Sequence, residues 1–396
     1  MLVKLKEICK VVSGATPTTN ISSYYDGDIF WITPKDLADN NSRKYINTCS
    51  RKITKSGYES CSTVMIPKNN ILISTRAPIG YIAINSVECC TNQGFKSLIC
   101  DANIVNSNYL YYLLKTRMKE IELLGAGTTF KEVSKSSIEN FEVDLPLLEI
   151  QERIASILSS IDCQIERNNT ILKRLQVLGQ GIFFKWFVQS EYPKSNEEKI
   201  FNKFLNNEIP SGWKTYRLTD CIKWESSSQP PKSTFSDIKK EGYIRFIQNR
   251  DYDSANHVTY IPLKETTKTC NKFDIMIDKY GDAGKIRYGL TGAFNVALAK
   301  LTPIFPYTQE YIRHFLMLDA NYTYLHNACI ASTRASLNEQ TLSGIKICMP
   351  PMPLLRKFDD ISKKILNYQF KIIDETSKLE ELKRKILPLL INEQLK

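Results

Sequence analysis

The chain has 396 residues, of which 42% are hydrophobic and 24% are charged. This composition predicts folded domains with cores of their own and excludes intrinsic disorder. Lysine and arginine outnumber aspartate and glutamate by 53 to 42, which gives a net charge of +11. The basic excess favours an anionic partner, above all nucleic acid, although many soluble proteins share it.

The cysteines, histidines and apolar runs exclude several other classes of protein. The eleven cysteines contain no C-x-x-C spacing, and the three histidines lie far from any cysteine cluster. The sequence therefore predicts no metal site, and thiols that stay reduced. The first residues lack a signal-peptide apolar core, and no run of 18 apolar residues occurs, so we expect a cytoplasmic protein that does not enter a membrane.

Residues 1–145 have the pattern of a first globular domain. Residues 71–76 predict a buried strand that begins with three apolar residues and ends in a polar and basic tip with Arg76, and residues 81–84 predict a neighbouring strand. Residues 109–124 predict a helix. Because strand signals dominate, we expect a mixed α/β domain that is rich in β structure.

Residues 146–188 predict a long helix with a narrow apolar seam. The apolar residues recur at alternating steps of three and four, and this pattern is typical of a helix that packs lengthwise on one partner helix. The predicted seam consists of Ile154, Ile157, Ile161, Ile171, Leu175, Leu178 and Ile182. The aromatic residues at 183–187 are too apolar for a free surface. We expect them to pack under a second domain, with a partner protein as the alternative.

The rest of the chain repeats this order. Residues 189–212 form a polar linker with the pattern of one short helical turn around 200–205, and residues 213–349 predict a second domain. Residues 350–396 predict a second helix, whose seam follows the first at a distance of 204 positions. Pro388 lacks an amide, so the paired region should end near the residue before it. One amphipathic helix would indicate only a core helix, but two matching seams favour pairing.

The sequence carries no recognisable catalytic signature. The Pro-Pro pairs follow Gln229 and Met349, so the Asn/Asp-Pro-Pro-Tyr/Phe tetrad of amino-methyltransferases is missing. No P-loop motif occurs, and the glycines at 125–127 follow a predicted helix rather than a strand. No serine, cysteine or histidine lies in a nucleophile context. These features predict a non-catalytic recognition protein and scaffold, without a cofactor of its own.

Polar and basic residues at strand ends and in loops are the candidates for reading DNA. Arginine can bind guanine through two hydrogen bonds, and lysine can anchor phosphate. For any one of them the alternative is a solvated surface charge, and apolar sequence around Arg76 and Arg334 favours these two. The candidates are Thr33, Lys35, Arg76 and Lys131 in the first domain and Arg250, Lys279, Lys285 and Arg334 in the second.

Several motifs in a consistent order resemble the specificity subunits of type I restriction–modification systems. Thr-Asn-Gln-Gly-Phe-Lys-Ser-Leu at 91–98 is similar to the central motif of their recognition domains. The second copy departs from the pattern, with Asn-Val-Ala at 295–297 and Ser-Thr-Arg-Ala-Ser at 332–336. The other motifs that carry the resemblance lie at 11–17, 27–37, 127–134, 145–154 and 208–213.

The resemblance implies two tandem target recognition domains of mixed α/β (α+β) fold, joined by two long helices that pair as an antiparallel coiled coil. Each domain would read one half of an interrupted double-stranded DNA target. The implied partners are two modification subunits, which bind S-adenosylmethionine and methylate adenine, and restriction subunits, which cut DNA. The first seam is roughly 40 Å long at ~1.5 Å per residue, slightly more than one turn of B-DNA, and could space the two domains.

Two other interpretations stay open on the sequence alone. Similar recognition domains serve methylation-only systems, or type IIG-like systems in which one polypeptide carries restriction and methylation, but the absent catalytic motifs weigh against activity in this chain. A coiled-coil scaffold that binds no DNA would explain the helices. It would not explain two domains with basic residues at their strand ends.

Overall fold

The computed structural model describes residues 1–40, 43–76, 78–126, 131–193, 198–254, 258–330 and 336–392. The chain divides into two compact units. The first unit comprises Met1–Asn168 with Glu375–Lys396, and the second comprises Asn169–Asp374. Each unit therefore contains a part of both long helices.

The first unit combines short strands with short helices, which confirms the predicted mixed α/β class. Its strands are β1 (Leu2–Lys4), β2 (Cys9–Ser13), β3 (Tyr25–Ile32), β4 (Tyr45–Ile46), β5 (Lys52–Ile53), β6 (Ile71–Ser74), β7 (Ile82–Asn85), β8 (Cys89–Thr91), β9 (Phe95–Cys100) and β10 (Glu142–Asp144). Its short helices are α1 (Leu5–Ile8), α2 (Pro34–Asp39), α3 (Lys55–Glu59), α4 (Ser107–Thr116), α5 (Met118–Leu123) and α6 (Lys135–Glu139). One sheet has the strand order β2-β9-β6-β7-β4, a second has β5-β3-β8, and β1 pairs with β10.

The strand predicted at 71–76 is confirmed as β6, which ends earlier, at Ser74, and is buried over its whole length between β9 and β7. Its predicted neighbour is confirmed as β7, which runs antiparallel with Ile73 opposite Ile82. The single helix predicted at 109–124 is wrong, because Arg117 leaves the helical conformation (φ −102°, ψ 12°) and separates α4 from α5.

The second unit repeats the topology of the first. Its strands are β11 (Lys199–Asn202), β12 (Asn207–Pro210), β13 (Lys214–Arg217), β14 (Ile222–Ser226), β15 (Tyr243–Ile247), β16 (Thr259–Pro262), β17 (Thr269–Cys270), β18 (Ile275–Asp278), β19 (Ile286–Arg287), β20 (Gly292–Phe294), β21 (Leu298–Pro303) and β22 (Lys346–Met349). The orders β14-β21-β18-β19 and β16-β15-β20-β17 correspond to the two sheets of the first unit, and β13 pairs with β22 as β1 pairs with β10. The tandem repeat predicted from the sequence is thus confirmed.

The linker prediction is wrong in its local structure. A helical turn was expected around 200–205, but β11 and β12 form an antiparallel hairpin in which Phe201 lies opposite Glu208. The turn is closed by the Asn202 side chain, whose Oδ1 accepts hydrogen bonds from the backbone N–H groups of Phe204 and Leu205. An asparagine that bonds its own following backbone favours a turn over a helix.

The remaining helices complete the chain. α7 (Leu148–Phe183) continues into a π-helical turn at Phe184–Val188, α8 (Gln309–Leu316) and α9 (Asp319–Ile330) belong to the second unit, and the last long helix is α10 (Met352–Asn392). Both long helices predicted from the sequence are confirmed. The expected disturbance of the last turns by Pro388 is not seen, because α10 runs through the proline to Asn392 and buries Ile391 in the core of the first unit. Burial of this apolar turn offsets the loss of one helical hydrogen bond at the proline.

The long helices have the predicted heptad period. At every second position of the predicted seam, however, the buried residue is the one that follows the predicted residue. Ile157 and Leu178 are 43% and 50% exposed, whereas the residues that follow them, Leu158 and Gly179, are buried. The buried or half-buried face of α7 consists of Ile154, Leu158, Ile161, Ile165, Asn168, Leu172, Leu175, Gly179 and Ile182. The equivalent face of α10 consists of Phe358, Ser362, Ile365, Gln369, Ile372, Thr376, Leu379, Lys383 and Ile386.

Polar contacts in the first unit show that the helix segments pair antiparallel. The Asn168 Nδ2 donates a hydrogen bond to Thr376 Oγ1 at 3.2 Å, and both side chains are buried. Asp162, which precedes Asn168 in α7, forms an ion pair with Lys383, which follows Thr376 in α10. A step backward along one helix thus matches a step forward along the other. Buried polar pairs of this kind favour one register over others, because a slipped register leaves them without partners.

In the second unit the same helices meet through aromatic side chains. The Phe187 ring of the π-helical turn lies 4.9 Å from the Phe358 ring of α10 at an interplanar angle of 88°, and Phe183 lies 5.9 Å from Phe358. Phe183, Trp186 and Phe187 are all buried in the core of this unit. The predicted packing of the aromatic residues under the second domain is confirmed.

The Asp162–Lys383 pair predicts an unequal response to the same substitution at two nearby lysines. Lys383→Met should lower the free energy of unfolding by about 2 kcal/mol, because it leaves the largely buried Asp162 carboxylate without its cation. Lys385→Met is the matched control, since Lys385 pairs with Glu381 in an exposed position on the same helix and should change stability little. Chemical denaturation of both variants checks this, and equal effects would contradict it.

Candidate nucleic-acid interface

In the first unit, three chain segments meet where β3, β6 and β8 end. The backbone N–H of Asn92, just after β8, donates to the Ile32 carbonyl at the end of β3 at 3.2 Å. The N–H of Thr75, just after β6, donates to the Gly94 carbonyl at 2.8 Å. We call the surface formed by residues 14–16, 33–35, 75–76, 92–94 and 131–132 the first edge.

The loop after β2 lies directly against the turn between β8 and β9. The Ala15 N–H donates to the Thr91 carbonyl at 3.0 Å, and the Thr16 hydroxyl donates to the side-chain carbonyl of the exposed Gln93. Gly14 permits this approach, because a Cβ atom there would overlap the carbonyl oxygens of Thr91 and Asn92. Thr16 and Gln93 are polar groups at the edge that were not among the predicted site residues.

Thr33 and Lys35 lie at the start of α2 on the first edge. The backbone N–H and the hydroxyl of Thr33 both donate to Asp36 Oδ2, at 2.7 and 2.6 Å. Asp36 is buried, and its other oxygen accepts the Ser50 N–H at 2.6 Å. Thr33 therefore shapes the turn as an N-cap, while Lys35 is exposed in the first turn of the helix. A DNA contact by either residue is still a prediction.

Arg76 shares a carboxylate with a buried lysine. Its Nε lies 3.2 Å from Glu132 Oε2 and its side chain is 48% exposed, whereas Lys96 Nζ lies 3.3 Å from Glu132 Oε1 and is 8% exposed. Lys131, next to Glu132, is exposed. Glu132 and Lys96 were not predicted as site residues, although a lysine inside the apolar strand β9 signals a buried ion pair.

The second unit repeats this frame with different side chains. The Asn295 N–H donates to the Ile247 carbonyl at 3.0 Å, and the Lys279 N–H donates to the Ala297 carbonyl at 2.8 Å. The N–H of Gln248 donates to Asp251 Oδ2 at 2.9 Å, as Thr33 does to Asp36. The Asn-Val-Ala sequence at 295–297 therefore preserves the turn of the first copy. We call residues 248–253, 278–287 and 295–297 the second edge.

Of the residues predicted in the second domain, Arg250 occupies the position in its turn that Lys35 occupies in the first domain, and its side chain is 59% exposed. Lys279 Nζ lies 3.5 Å from the Ser226 hydroxyl, and Lys285 Nζ lies 3.1 Å from Asp282 Oδ2. Arg334 lies outside the described residues.

Two carboxylates of the second edge have shifted pKa values. Burial raises the pKa of Asp278 to about 6, against the opposing effect of the neighbouring Arg287. Hydrogen bonds from Arg287 lower the pKa of Asp253.

Within the described residues, no group of three or more His, Cys, Asp or Glu side chains is placed to hold a metal ion. Among the helices of the described residues, none could span a membrane.

Two long segments of the chain match one known type of domain. The family described as the type I restriction modification DNA specificity domain matches residues 1–177 and again residues 210–387. The chain belongs to this family. The membership predicted from the motifs is therefore confirmed, together with the two tandem recognition domains.

Whole-chain relatives of this specificity protein support the assignment. It is 33% identical to the MjaIX specificity subunit, a type I restriction enzyme subunit from Methanocaldococcus jannaschii, over 98% of this chain and 91% of the relative. It is 21% identical to the EcoDI specificity subunit from Escherichia coli over 80% of this chain and 74% of that protein. The crystal structure of a type I S subunit from M. genitalium shares the fold, with a TM-score of 0.69, 16% identity and coverage of 99% and 96% of the two chains.

The close approach at Gly14 predicts a local defect at the first edge of the specificity protein. Gly14→Ala should destabilise the first unit by about 1–3 kcal/mol, because the backbone must shift to admit the methyl group. Gly181→Ala is the matched control, since nothing lies within 4 Å of a Cβ there and alanine favours the helix by about 0.5–1 kcal/mol. Thermal unfolding compares the two, and a neutral Gly14→Ala variant would contradict the described packing.

Proposed function

We propose that this specificity protein binds double-stranded DNA and recognises an interrupted target, with one half-sequence read by each domain. The observation that carries the proposal is the repeated edge. Both edges share the backbone hydrogen bonds that hold the turns at 92–94 and 295–297, and each presents an exposed basic side chain at the same turn position, Lys35 or Arg250. A common backbone frame with different side chains suits two different half-sequences, since side chains carry the base readout.

The chemistry of the first edge fits contact with a DNA groove. The Arg76 side chain is half-exposed, and a guanidinium can bind guanine. Its ion pair with Glu132 is exposed and contributes little to stability, so exchanging that ion pair for a DNA contact would cost little free energy. The exposed lysines Lys35 and Lys131 suit phosphate. Binding should weaken steeply with salt, because basic side chains release counterions from phosphate.

In the proposed complex this chain recognises DNA and its partners perform the chemistry. Two modification subunits would bind S-adenosylmethionine and methylate adenine, and restriction subunits would cut the DNA. The missing catalytic motifs and the membership of a specificity family support this division. The purified chain should neither methylate nor cut DNA by itself.

We also propose that the two long helices set the gap between the half-sequences. Each compact unit contains segments of both α7 and α10, so the length of the helices is a property that both domains share. The buried Asn168–Thr376 hydrogen bond supports a defined register for the pair. A fixed register would make the number of unspecified base pairs constant.

Reciprocal arginine variants test the assignment of half-sites. Arg76→Ala should reduce discrimination only in the half-sequence read by the first domain, by about 1–3 kcal/mol if the arginine binds a guanine. Arg250→Ala should affect only the other half, so each variant is the control for its counterpart. Methylation rates of the assembled complex on DNA varied at each position give the answer. Equal weakening on all sequences would instead identify a phosphate anchor.

Lengthening both helices tests their role as a spacer. Leu172 and Ile372 lie one turn from Asn168 and Thr376 on the buried faces, so seven residues inserted after each should preserve the pairing. The insertion adds about 10 Å of helix, which equals about 3 base pairs at ~3.4 Å each. The recognised half-sequences should stay the same while the gap grows by a few base pairs. An active variant with the original gap would show that the helices do not determine it.

A further inference from the structure

A buried arginine joins three structural elements of the second edge. Arg287, at the end of β19, is 7% exposed, and its Nη1 and Nη2 donate to Asp253 Oδ1 and Oδ2 at 2.7 and 3.2 Å. On its other side, Nε donates to Asp278 Oδ2 at 3.1 Å. The guanidinium thus donates hydrogen bonds to two carboxylates from different parts of the chain, and its Nη2 also lies 3.9 Å from Asp282 Oδ2. A two-pronged contact of this kind fixes orientation as well as distance.

Each of the two carboxylates adjoins a predicted DNA-reading residue. Asp253 directly follows the turn Asn249–Tyr252, and its N–H donates to the carbonyl of Arg250 at 3.1 Å. Asp278 ends β18 and immediately precedes Lys279. Through its two partners, Arg287 links the turn that presents Arg250 to the strand end that presents Lys279.

The first domain lacks this ionic link. Arg287 lies opposite Met276 in its strand pair, and the corresponding pair in the first domain places Ala83 opposite Leu72. Ser74 takes the place of Asp278. The Ser74 hydroxyl donates a hydrogen bond to the Pro78 carbonyl at 2.9 Å and accepts one from the backbone N–H of Tyr81.

The helix of the first edge is held by packing and by the hydrogen bonds to Asp36, without such an ionic link. Leu37 of α2 is 3% exposed in an apolar core cluster of the first domain. The second edge has only a single 3₁₀ turn at the matching place, Asn249–Tyr252. The buried Asp251 cap and the packing of Tyr252 hold this turn. The hydrogen bonds from Arg287 to Asp253 add a link between the residue that directly follows the turn and β19.

We propose that Arg287 is a positioning residue for recognition by the second domain, because it holds Arg250 and Lys279 in a fixed arrangement. The inference rests on the proposed function. It predicts that loss of the link impairs one half-sequence and spares the other. A general loss of folding or of phosphate binding would affect both.

The test uses the full-length chain assembled with its modification subunits. Arg287→Lys keeps the positive charge but loses the paired hydrogen bonds. Asp253→Asn removes the charge of one partner, and because the Asp253 side chain is 59% exposed, this change leaves the core of the second domain intact. Both should reduce the preference for the correct bases in the second half-sequence by about tenfold, and leave the first half-sequence unchanged. Arg217→Lys, an exposed arginine on β13 of the same domain, is the matched control and should alter neither half.

Methylation rates on DNA varied at single positions, with thermal unfolding of each variant, separate the outcomes. Selective loss in the second half by Asp253→Asn, at nearly unchanged melting temperature, supports the positioning role even where Arg287→Lys fails to fold. Unchanged preferences in both halves overturn it, as does an equal loss in both. If the unmodified complex itself shows no two-part preference, the proposed function fails.

Discussion

The burial of one face of each long helix against the other is the constraint on which the rest of the structure depends. α7 and α10 each contribute to both compact units, so neither unit is complete without a segment from the distant helix. In the first unit, Ile391 near the end of the chain lies in the same core as Leu5 near its beginning. Apolar burial alone would let the two helices slip relative to each other. The polar pairs Asn168–Thr376 and Asp162–Lys383 fix their register.

The two edges show how a duplicated frame can carry different recognition surfaces. Backbone hydrogen bonds hold the turn at 92–94 and the turn at 295–297 in the same way, although their sequences differ. The side chains around them are supported by different means, packing of Leu37 in one domain and the ionic contacts of Arg287 in the other. The scaffold therefore depends little on the side chains that would select bases, which allows each domain its own half-sequence.

Sequence patterns predicted the architecture better than the details of the site. The heptad period was readable, but Ile157 and Leu158 are equally apolar, and only tertiary packing decides which of them is buried. The sequence does not predict the hairpin of Lys199–Asn202 and Asn207–Pro210, because its signal is the side-chain bonding of a single asparagine. The contact between Arg287 and Asp253 spans 34 positions, and no local pattern reveals such a pair. The basic residues at strand ends were visible, whereas Glu132, which pairs with Arg76, was not.

The central claim is that two copies of one edge read two halves of one DNA target. Single-molecule mapping of adenine methylation in cells with and without this gene tests it most directly. We expect methylation at one interrupted sequence, with two specified halves separated by a constant number of unspecified base pairs, and its disappearance when the gene is removed. A single continuous methylated sequence, or a pattern unaffected by removal of the gene, would show that the two edges do not read two half-sequences.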